Sequence, residues 1–327
     1  MNEIPVFSVI IPCYNSVGLL ERGINSLLKQ SFRNFEVVFV DDCSTDGTYD
    51  YLLNCKSESD LNVRVLRNEK NCGPGESRNM GIREAMGEYI AFMDSDDWYE
   101  GDYLQSVYEK IQETGAELIL CDFYRCFTNG QKQWLKCTGQ FSAVTRQSEF
   151  VALCFDSLCA LTVKKDLFQG IRIPVIYNAE DAAIVPVLVS KAKKVAFIAK
   201  PFYNYLYRSA SLSTKIDLNI VLSLRQAAYF LNENINKQFQ TECEFRCSQI
   251  FMYAIVFKAL QGGMELCQLE KLIDEYEIQN KFWYKNKYIK FLPLRKRMFL
   301  KGVRFRLFWL LKGYVRIQSY LLNKGCA

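Results

Sequence analysis

The N-terminal part of the chain alternates short apolar runs with segments of helical periodicity. Val6–Pro12 and Phe35–Val40 are rich in β-branched and aromatic residues, which predicts two strands. Leu20, Ile24 and Leu27 lie between them at the spacing of an amphipathic helix. The pattern predicts a βαβ unit, in which a helix joins two parallel strands.

The same alternation continues along the chain. It predicts strands at Val63–Leu66 and Glu88–Met93, with a helix at Glu76–Met86 between them. A further helix is predicted at Tyr103–Thr114 and a further strand at Ala116–Phe123. We therefore expect an α/β fold with a doubly wound, mostly parallel sheet and flanking helices.

The pattern changes in the second half of the chain. Thr128-Asn129-Gly130 predicts a hairpin turn. Helical periodicity dominates Ile216–Leu272, with an interruption at Gly262–Gly263. We expect an α/β domain at residues 1–213 and a helical C-terminal region at residues 214–327.

Histidine is absent from all 327 residues. Its absence excludes Ser/His/Asp triads, Cys/His dyads, imidazole bases and His-ligated zinc. Acid–base or metal chemistry must therefore use carboxylates, which suit hard cations such as Mg²⁺ or Mn²⁺. The thirteen cysteines include no Cys-x-x-Cys pair, and we expect reduced, buried thiols.

The N-terminus does not have the pattern of a signal peptide. Met1–Pro5 carries an acid and a proline where a signal peptide carries positive charge. No stretch reaches the roughly 18 uncharged apolar residues that a membrane-spanning helix needs. We expect a cytoplasmic protein.

Charge is distributed unevenly along the chain. Residues 281–327 contain thirteen Lys or Arg and no acid, which leaves 28 bases against 36 acids in residues 1–280, a net charge of −8. Five bases recur near one predicted helical stripe beside an apolar flank. The bases are Arg297, Lys301, Arg304, Lys312 and Arg316, and the flank is Phe305, Phe308, Trp309 and Leu310. Such a helix can lie on an anionic membrane; packing on the acidic domain and nucleic-acid binding are the alternatives.

Acidic residues follow two of the predicted strands. Asp42 comes at the end of the second strand, and Asp94 and Asp96 follow the fourth. Because ligands of open parallel sheets bind beyond the carboxyl ends of the strands, we expect these acids to line one crevice. A divalent cation that bridges a diphosphate would compensate the clustered carboxylates. The alternative is a solvated acidic turn before the next helix.

Four ordered motifs in this region closely resemble those of the family 2 glycosyltransferases of GT-A fold. The motifs are Ser8–Asn15 (SVIIPCYN), Val40–Thr48 (VDDCSTDGT), Asn71–Asn79 (NCGPGESRN) and Gly87–Trp98 (GEYIAFMDSDDW). The resemblance implies that residues 1–213 form the catalytic domain of an inverting enzyme that uses a nucleotide-sugar. The Gln-x-x-Arg-Trp pattern of processive synthases is absent, which favours the transfer of one sugar per encounter.

The resemblance also implies which residues bind the nucleotide. Pro12, Tyr14 and Asn15 match positions that hold the nucleoside, and Asp42 matches the acceptor of a hydrogen bond from uracil. Arg78 follows a glycine-containing turn at the start of a helix, where a phosphate is favoured. The alternatives are a packed loop aromatic for Tyr14, a helix cap for Asp42 and a surface salt bridge for Arg78.

The cation and the catalytic base follow from the same resemblance. Asp96 is expected to be the main ligand of a Mn²⁺ or Mg²⁺ ion, with Asp94 beside it. Asp181 matches the family's base, and Glu180 is expected to place the acceptor. These two acids precede a helix predicted at Ile184–Val189, so the alternative is that they cap this helix.

Two other segments complete the resemblance. Tyr203–Ser213 resembles a family segment that closes the domain, so Arg208 and Ser211 are expected to meet the diphosphate when a loop folds over the donor. Ordinary surface residues are the alternative for both. Many relatives have a Trp and a Lys-Leu-Tyr-like segment where this chain has Leu158–Lys165, which suggests an unusual acceptor.

The predicted reaction transfers one sugar from a UDP-sugar to a hydroxyl of a saccharide acceptor. We expect a lipid-linked acceptor in the assembly of O-antigen, capsule or exopolysaccharide. The basic segment at residues 281–327 would hold the protein on the inner face of the cell membrane, and we expect no nucleic-acid partner. A metal-dependent nucleotidyltransferase and a non-catalytic scaffold that retains the fold are the alternatives.

Overall fold

The computed structural model describes residues 4–142, 145–208 and 217–323. The chain divides into two compact units. We call Met1–Val175 with Leu188–Tyr207 the sheet unit, and Ile176–Val187 with Arg208–Ala327 the helical unit. None of the helices in the described ranges is long and apolar enough to span a bilayer.

Parallel strands alternate with helices in the first half of the sheet unit. The strands are β1 (Phe7–Cys13), β2 (Phe35–Asp41), β3 (Val63–Arg67) and β4 (Tyr89–Phe92), and the helices are α1 (Leu20–Leu28), α2 (Thr48–Glu58) and α3 (Pro74–Glu84). β1, β2 and β4 are buried along nearly their whole length, as expected for parallel strands covered on both faces. These elements confirm the α/β fold.

The second half of the sheet unit is mixed. It contains β5 (Trp98–Tyr99), β6 (Leu118–Phe127), β7 (Lys132–Leu135), β8 (Leu161–Lys164) and β9 (Val195–Tyr207), with α4 (Tyr103–Thr114) and α5 (Gln147–Leu153). The strand order is β3-β2-β1-β4-β8-β6-β9-β5, and β7 pairs with β6. β5, β7 and β8 pair antiparallel, whereas β9 runs parallel to β6. The parallel arrangement predicted from the sequence therefore describes the first half of the sheet best.

The predicted hairpin is confirmed. β6 and β7 pair antiparallel, with Phe123 opposite Leu135. Gly130 lies between the strands with a φ of 85°, a backbone conformation that glycine adopts readily, and its N–H donates to the Phe127 carbonyl at 2.9 Å. The turn chemistry of the sequence thus agrees with the observed turn.

α3 packs very closely on β1. A Cβ atom at Gly81 would lie 2.5 Å from Cγ2 of Ile10, so that only glycine permits this approach. Arg78 lies about one helical turn before Gly81. The close packing of α3 on β1 therefore fixes the distance between Arg78 and the sheet.

The helical unit confirms the helical character predicted for the C-terminal region. Its helices are α7 (Asn219–Asn234), α8 (Gln240–Gln249), a π-helix at Ile250–Ile255, α9 (Val256–Gln261), α10 (Leu266–Gln279), α11 (Leu294–Arg304) and α12 (Phe308–Asn323). The interruption at Gly262–Gly263 falls between α9 and α10, as predicted. α6 (Glu180–Lys191) begins in the helical unit and ends in the sheet unit.

The single helical stripe predicted for the basic segment is wrong. The chain turns between α11 and α12, where Arg306 adopts a φ of 56°. The Arg306 guanidinium lies 2.5 Å from Asp274 and 2.8 Å from Glu277, which holds this corner against α10. Phe308, predicted to lie on an exposed apolar flank, is buried.

Candidate active site

The carboxyl ends of β1, β2 and β4 meet at one edge of the sheet. Cys13 is in register with Asp41, and the N–H of Asp42 donates to the Cys13 carbonyl at 2.8 Å. On the other side of β1, the N–H of Met93 donates to the Ile10 carbonyl at 3.1 Å. The parallel pairing therefore brings the acidic segments after β2 and β4 to the same edge, as the sequence predicts.

The loops after β1 and β2 are tied together. Asn15 has a φ of 47°, and its side-chain oxygen accepts from the N–H of Thr45 at 2.9 Å. The N–H of Asn15 donates to Ser44 Oγ at 3.0 Å. Pro12 is half-buried, whereas the Tyr14 side chain is 50% exposed at this edge. An aromatic ring is thus held in an open position beside a rigid pair of loops.

Asp42 is buried and anchors the turn that opens α3. Its carboxylate accepts from Asn68 Nδ2 at 2.7 Å, from the N–H of Cys72 at 2.9 Å and from the N–H of Gly73 at 2.7 Å. An ionised carboxylate offers about four acceptor positions. At least three of these positions are used within the protein, which holds the carboxylate firmly in place.

A buried guanidinium lies beside the acidic turn after β4. Arg78 is 4% exposed, and its Nη2 lies 2.8 Å from Asp94 Oδ1. The Asp94 side chain is 38% exposed. The pair therefore joins a positive charge fixed inside the protein to a carboxylate that is open to solvent, which fits a site for a charged ligand.

The turn that carries Asp94 and Asp96 is held from the other side by β9. The N–H of Asp94 donates to Tyr203 Oη at 3.0 Å, and the Tyr203 hydroxyl donates to Asp97 at 2.5 Å. The N–H of Leu206 also donates to Asp97, at 2.7 Å. Sequence reasoning missed Tyr203; its position within the predicted closing segment was the available signal.

The third acid of the cluster faces the interior. Asp97 is 1% exposed, and burial, followed by the nearby charges of Asp96 and Asp94, raises its pKa well above the ordinary value. Burial, followed by the charge of Asp97, likewise raises the pKa of Tyr203. Asp97 therefore shapes the turn from the interior, whereas Asp94 and Asp96 are half-buried.

Asp96 borders an open cavity in the sheet unit. The cavity has a volume of about 610 Å³, and its lining includes Arg22 and Asn25 of α1 together with Trp98. The Arg22 guanidinium lies 4.4 Å from the centroid of the Trp98 ring and covers it. A volume of this size suits a small-molecule ligand.

The residues present fit a divalent cation that shares its ligands with a substrate. Asp94 and Asp96 supply carboxylate oxygens, which hard cations prefer. No group of three or more acids or thiols able to hold a metal ion occurs among the described residues. Mg²⁺ in particular takes one or two carboxylates and completes its shell with phosphate oxygens and waters. This donor set therefore suits a cation bound together with a diphosphate.

The remaining predicted residues belong to the helical unit or lie outside the described residues. Glu180 and Asp181 are half-buried and form the first turn of α6, whereas the sequence predicted them just before the helix. Acids in a first helical turn also interact favourably with the helix dipole. Arg208 begins the second segment of the helical unit. Ser211 lies outside the described residues.

Comparison with known proteins identifies the family. The model of glycosyl transferase family 2 matches residues 8–170. Glycosyltransferase GlyG of Streptococcus pneumoniae serotype 4 is 30% identical over 232 residues, which cover 67% of this chain and 76% of GlyG. The chain belongs to glycosyltransferase family 2.

Solved structures of other glycosyltransferases share the fold. Residues 1–349 of Staphylococcus aureus TarS, in complex with UDP-GlcNAc, align with a TM-score of 0.67 at 22% identity, covering 98% of this chain and 92% of that one. A mannosyltransferase of Pyrobaculum calidifontis, in complex with GDP-Man and Mn²⁺, aligns with a TM-score of 0.54 at 15% identity, covering 93% and 87%. These alignments confirm the GT-A-like α/β fold.

The sequence identity to TarS is higher over a short segment than over the structural alignment. TarS, a poly(ribitol-phosphate) β-N-acetylglucosaminyltransferase, is 42% identical over 117 residues, which cover 35% of this chain and 20% of TarS. The chain therefore matches only a part of that longer protein.

Proposed function

We propose that this glycosyltransferase moves one sugar from a UDP-sugar to an acceptor hydroxyl with inversion at the anomeric carbon. The observation that carries the proposal is the pair of Arg78 and Asp94, 2.8 Å apart at the carboxyl edge of the sheet, with Asp96 in the same turn. Fixed charge of both signs at this edge suits a sugar diphosphate. The complex of TarS with UDP-GlcNAc supports UDP as the carrier.

The nucleoside would lie against the loops after β1 and β2. The exposed Tyr14 ring is available to flank the base, while Pro12 and Asn15 shape the floor of the loop. Asp42, held at the end of β2, would take a hydrogen bond from the uracil ring. Residues 1–213 would thus act as the catalytic domain.

The diphosphate would lie between Arg78 and the turn after β4. Asp96, with Asp94 beside it, would hold a Mn²⁺ or Mg²⁺ ion, and the Mn²⁺ complex of the mannosyltransferase supports this choice. When bound, such an ion neutralises the carboxylates and stabilises the charge on the departing UDP. Arg78 contributes a second positive charge, and Arg208 and Ser211 would approach the diphosphate when the donor is covered.

The base would be Asp181. A chain with no histidine leaves carboxylates as the natural groups to take the proton of the acceptor hydroxyl. Asp181 would accept this proton while the sugar is transferred, and the neighbouring Glu180 would hold a second hydroxyl of the acceptor.

The acceptor would be a lipid-linked saccharide of O-antigen, capsule or exopolysaccharide assembly. The enzyme would work peripherally on the inner face of the cell membrane. The poly(ribitol-phosphate) polymer in the name of TarS is in keeping with this role.

A panel of UDP-sugars tests the reaction. UDP release should require one donor, a lipid-diphosphate saccharide acceptor, and Mn²⁺ or Mg²⁺, and the product should show the inverted anomeric configuration by NMR. Asp181→Asn should lower kcat by about 10²–10⁴-fold, the contribution typical of a general base. Glu180→Gln should chiefly raise KM for the acceptor.

Three results would contradict parts of the proposed reaction. A calorimetric titration with UDP and Mn²⁺ that shows no heat would point to a non-catalytic protein that retains the fold. Full activity of Asp181→Asn would remove Asp181 as the base. Retention of configuration would exclude single displacement.

A further inference from the structure

One face of α12 is exposed and carries large apolar side chains. Trp309 is 72% exposed, Ile317 is 65% exposed and Leu310 is 49% exposed. At 3.6 residues per turn, these three side chains fall within an arc of roughly 100° around the helix. A concentration of exposed apolar side chains on one face marks an interaction surface.

The opposite face of α12 is firmly packed within the helical unit. Phe308, Leu311 and Val315 are all buried. α12 also approaches α11 closely, since a Cβ atom at Gly302 would lie 2.8 Å from Leu311 Cδ2. The fold therefore determines which face of α12 is outward.

α11 has the same arrangement. Leu294 and Met298, four residues apart, are each 63% exposed. Phe299 and Val303 on the other side are buried, and the Phe299 ring lies 5.0 Å from the ring of Tyr253. Each of the two C-terminal helices thus packs one side within the helical unit and exposes large apolar side chains on the other.

The charged residues of the segment that contains these two faces all have one sign. Lys312 and Arg316 border the apolar arc of α12, and Lys301 lies on the outward face of α11. No Asp or Glu occurs in residues 281–327. An aromatic and aliphatic centre with a basic border complements a surface that combines hydrocarbon with negative charge.

We infer that the outward faces of α11 and α12 dock on an anionic lipid bilayer. Trp309, Leu310 and Ile317 would enter the boundary between headgroups and acyl chains, while Lys312 and Arg316 would contact lipid phosphates. The biological purpose of this docking rests on the proposed function, because an enzyme on the bilayer meets a lipid-linked acceptor in two dimensions. The docking itself requires neither donor nor acceptor.

Vesicle flotation with the full chain tests the inference. The probe is a set of vesicles made of equal parts phosphatidylglycerol and phosphatidylcholine, compared with pure phosphatidylcholine. The protein should float with the anionic vesicles only, and added salt should weaken the binding. Lys312→Ser with Arg316→Ser should reduce partitioning about thirtyfold, since each base near an anionic surface contributes about a factor of five.

A matched pair of double variants tests the apolar contribution. Trp309→Ser with Ile317→Ser should strongly reduce flotation. Leu222→Ser with Tyr229→Ser removes two side chains of α7 that are 58% and 49% exposed. These residues belong to the same unit but lie outside residues 281–327 in sequence, and the double variant should leave flotation unchanged. Thermal unfolding followed by circular dichroism confirms that each variant is folded.

Two results would overturn the inference: undiminished flotation of the α12 apolar variant, or equal losses in the α12 and α7 variants. The second result would indicate non-specific adsorption or contact with another partner. Because flotation is measured without a sugar donor, a negative result leaves the transferase reaction untouched. Conversely, an inactive enzyme that still floats would contradict the proposed function and leave the docking in place.

Discussion

The hydroxyl of Tyr203 donates a hydrogen bond to the carboxylate of Asp97 at 2.5 Å. The same hydroxyl oxygen accepts from the N–H of Asp94 at 3.0 Å. One side chain of β9 therefore fixes both ends of the turn that presents Asp96. The geometry of the candidate site therefore depends on a residue that is itself buried.

Tyr203→Phe should lower both stability and turnover. It leaves Asp97 with an unsatisfied buried oxygen, at a cost of about 1–3 kcal/mol in the free energy of unfolding. The matched control is Tyr99→Phe, because the buried Tyr99 hydroxyl donates to the Phe92 carbonyl at 2.7 Å rather than to an acid of the turn. Urea unfolding should show similar losses of stability in the two variants. Measurement of kcat should show the larger loss in Tyr203→Phe. Equal kcat values in both variants would show that the turn does not depend on Tyr203.

Arg78→Met should weaken the binding of UDP. Charge-assisted hydrogen bonds contribute about 1.5–3 kcal/mol, so the dissociation constant measured by calorimetry should rise about 10- to 100-fold. Arg83→Met on the same helix removes an exposed contact with Glu76 at 3.4 Å and serves as the control. Unchanged UDP affinity in Arg78→Met would place the diphosphate elsewhere.

Removal of divalent cations with a chelator should abolish UDP release, and added Mn²⁺ should restore it. Asp96→Asn should raise the Mn²⁺ concentration that gives half-maximal activity by at least about tenfold, because a neutral amide is a weaker ligand for a hard cation. Asp102→Asn alters an exposed acid that pairs with Lys200 and should leave this concentration unchanged. Full turnover in the presence of the chelator would exclude a required cation.

Lys296→Met should stabilise the protein below about pH 8. Burial, followed by the charge of Arg246, lowers the pKa of Lys296 to about 8 in the folded protein. The folded state therefore bears a cost for the charged form that is complete below pH 8, decreases as the pH rises towards the unfolded value near 10.5, and is absent above it.

Urea unfolding at two pH values measures this effect. The gain in the free energy of unfolding should be about 1–3 kcal/mol at pH 7 and small at pH 10.5. The Lys296 ammonium lies 4.4 Å from the Tyr253 ring centroid, and the loss of this contact reduces the gain. Lys301→Met, an exposed position on the same helix, should show little change at either pH. An equal gain at both pH values would attribute the effect to packing instead.

The sequence predicts the first half of the sheet unit well because its signals are local. Strands such as β2 are continuous apolar runs, and each is followed by a helix with its own periodicity. The carboxyl edge follows from this alternation, so the sequence alone predicts that Asp42 and Asp94 lie at the same edge. Arg78 could be placed near them because it lies early in α3.

The features that the sequence does not predict depend on contacts between distant residues. β8 inserts between β4 and β6 through antiparallel pairing, which no local pattern encodes. Tyr203 reads as one aromatic in an aromatic strand until β9 brings it to the turn. The break between α11 and α12 depends on ion pairs of Arg306 with α10, and it divides a stripe whose periodicity is otherwise helical.

The attachment of the acidic turn to β9 also has a consequence for biosynthesis. Asp97 and Tyr203 are 106 residues apart. A nascent chain that has emerged only as far as Asp97 therefore contains the acidic turn but neither Tyr203 nor Leu206, which hold it. Pairing of distant segments forms slowly compared with local helices and turns. The carboxyl edge of the sheet is therefore completed late. A ribosome-bound fragment that ends before Val195 should contain the first parallel strands, while the acidic turn still lacks its final conformation.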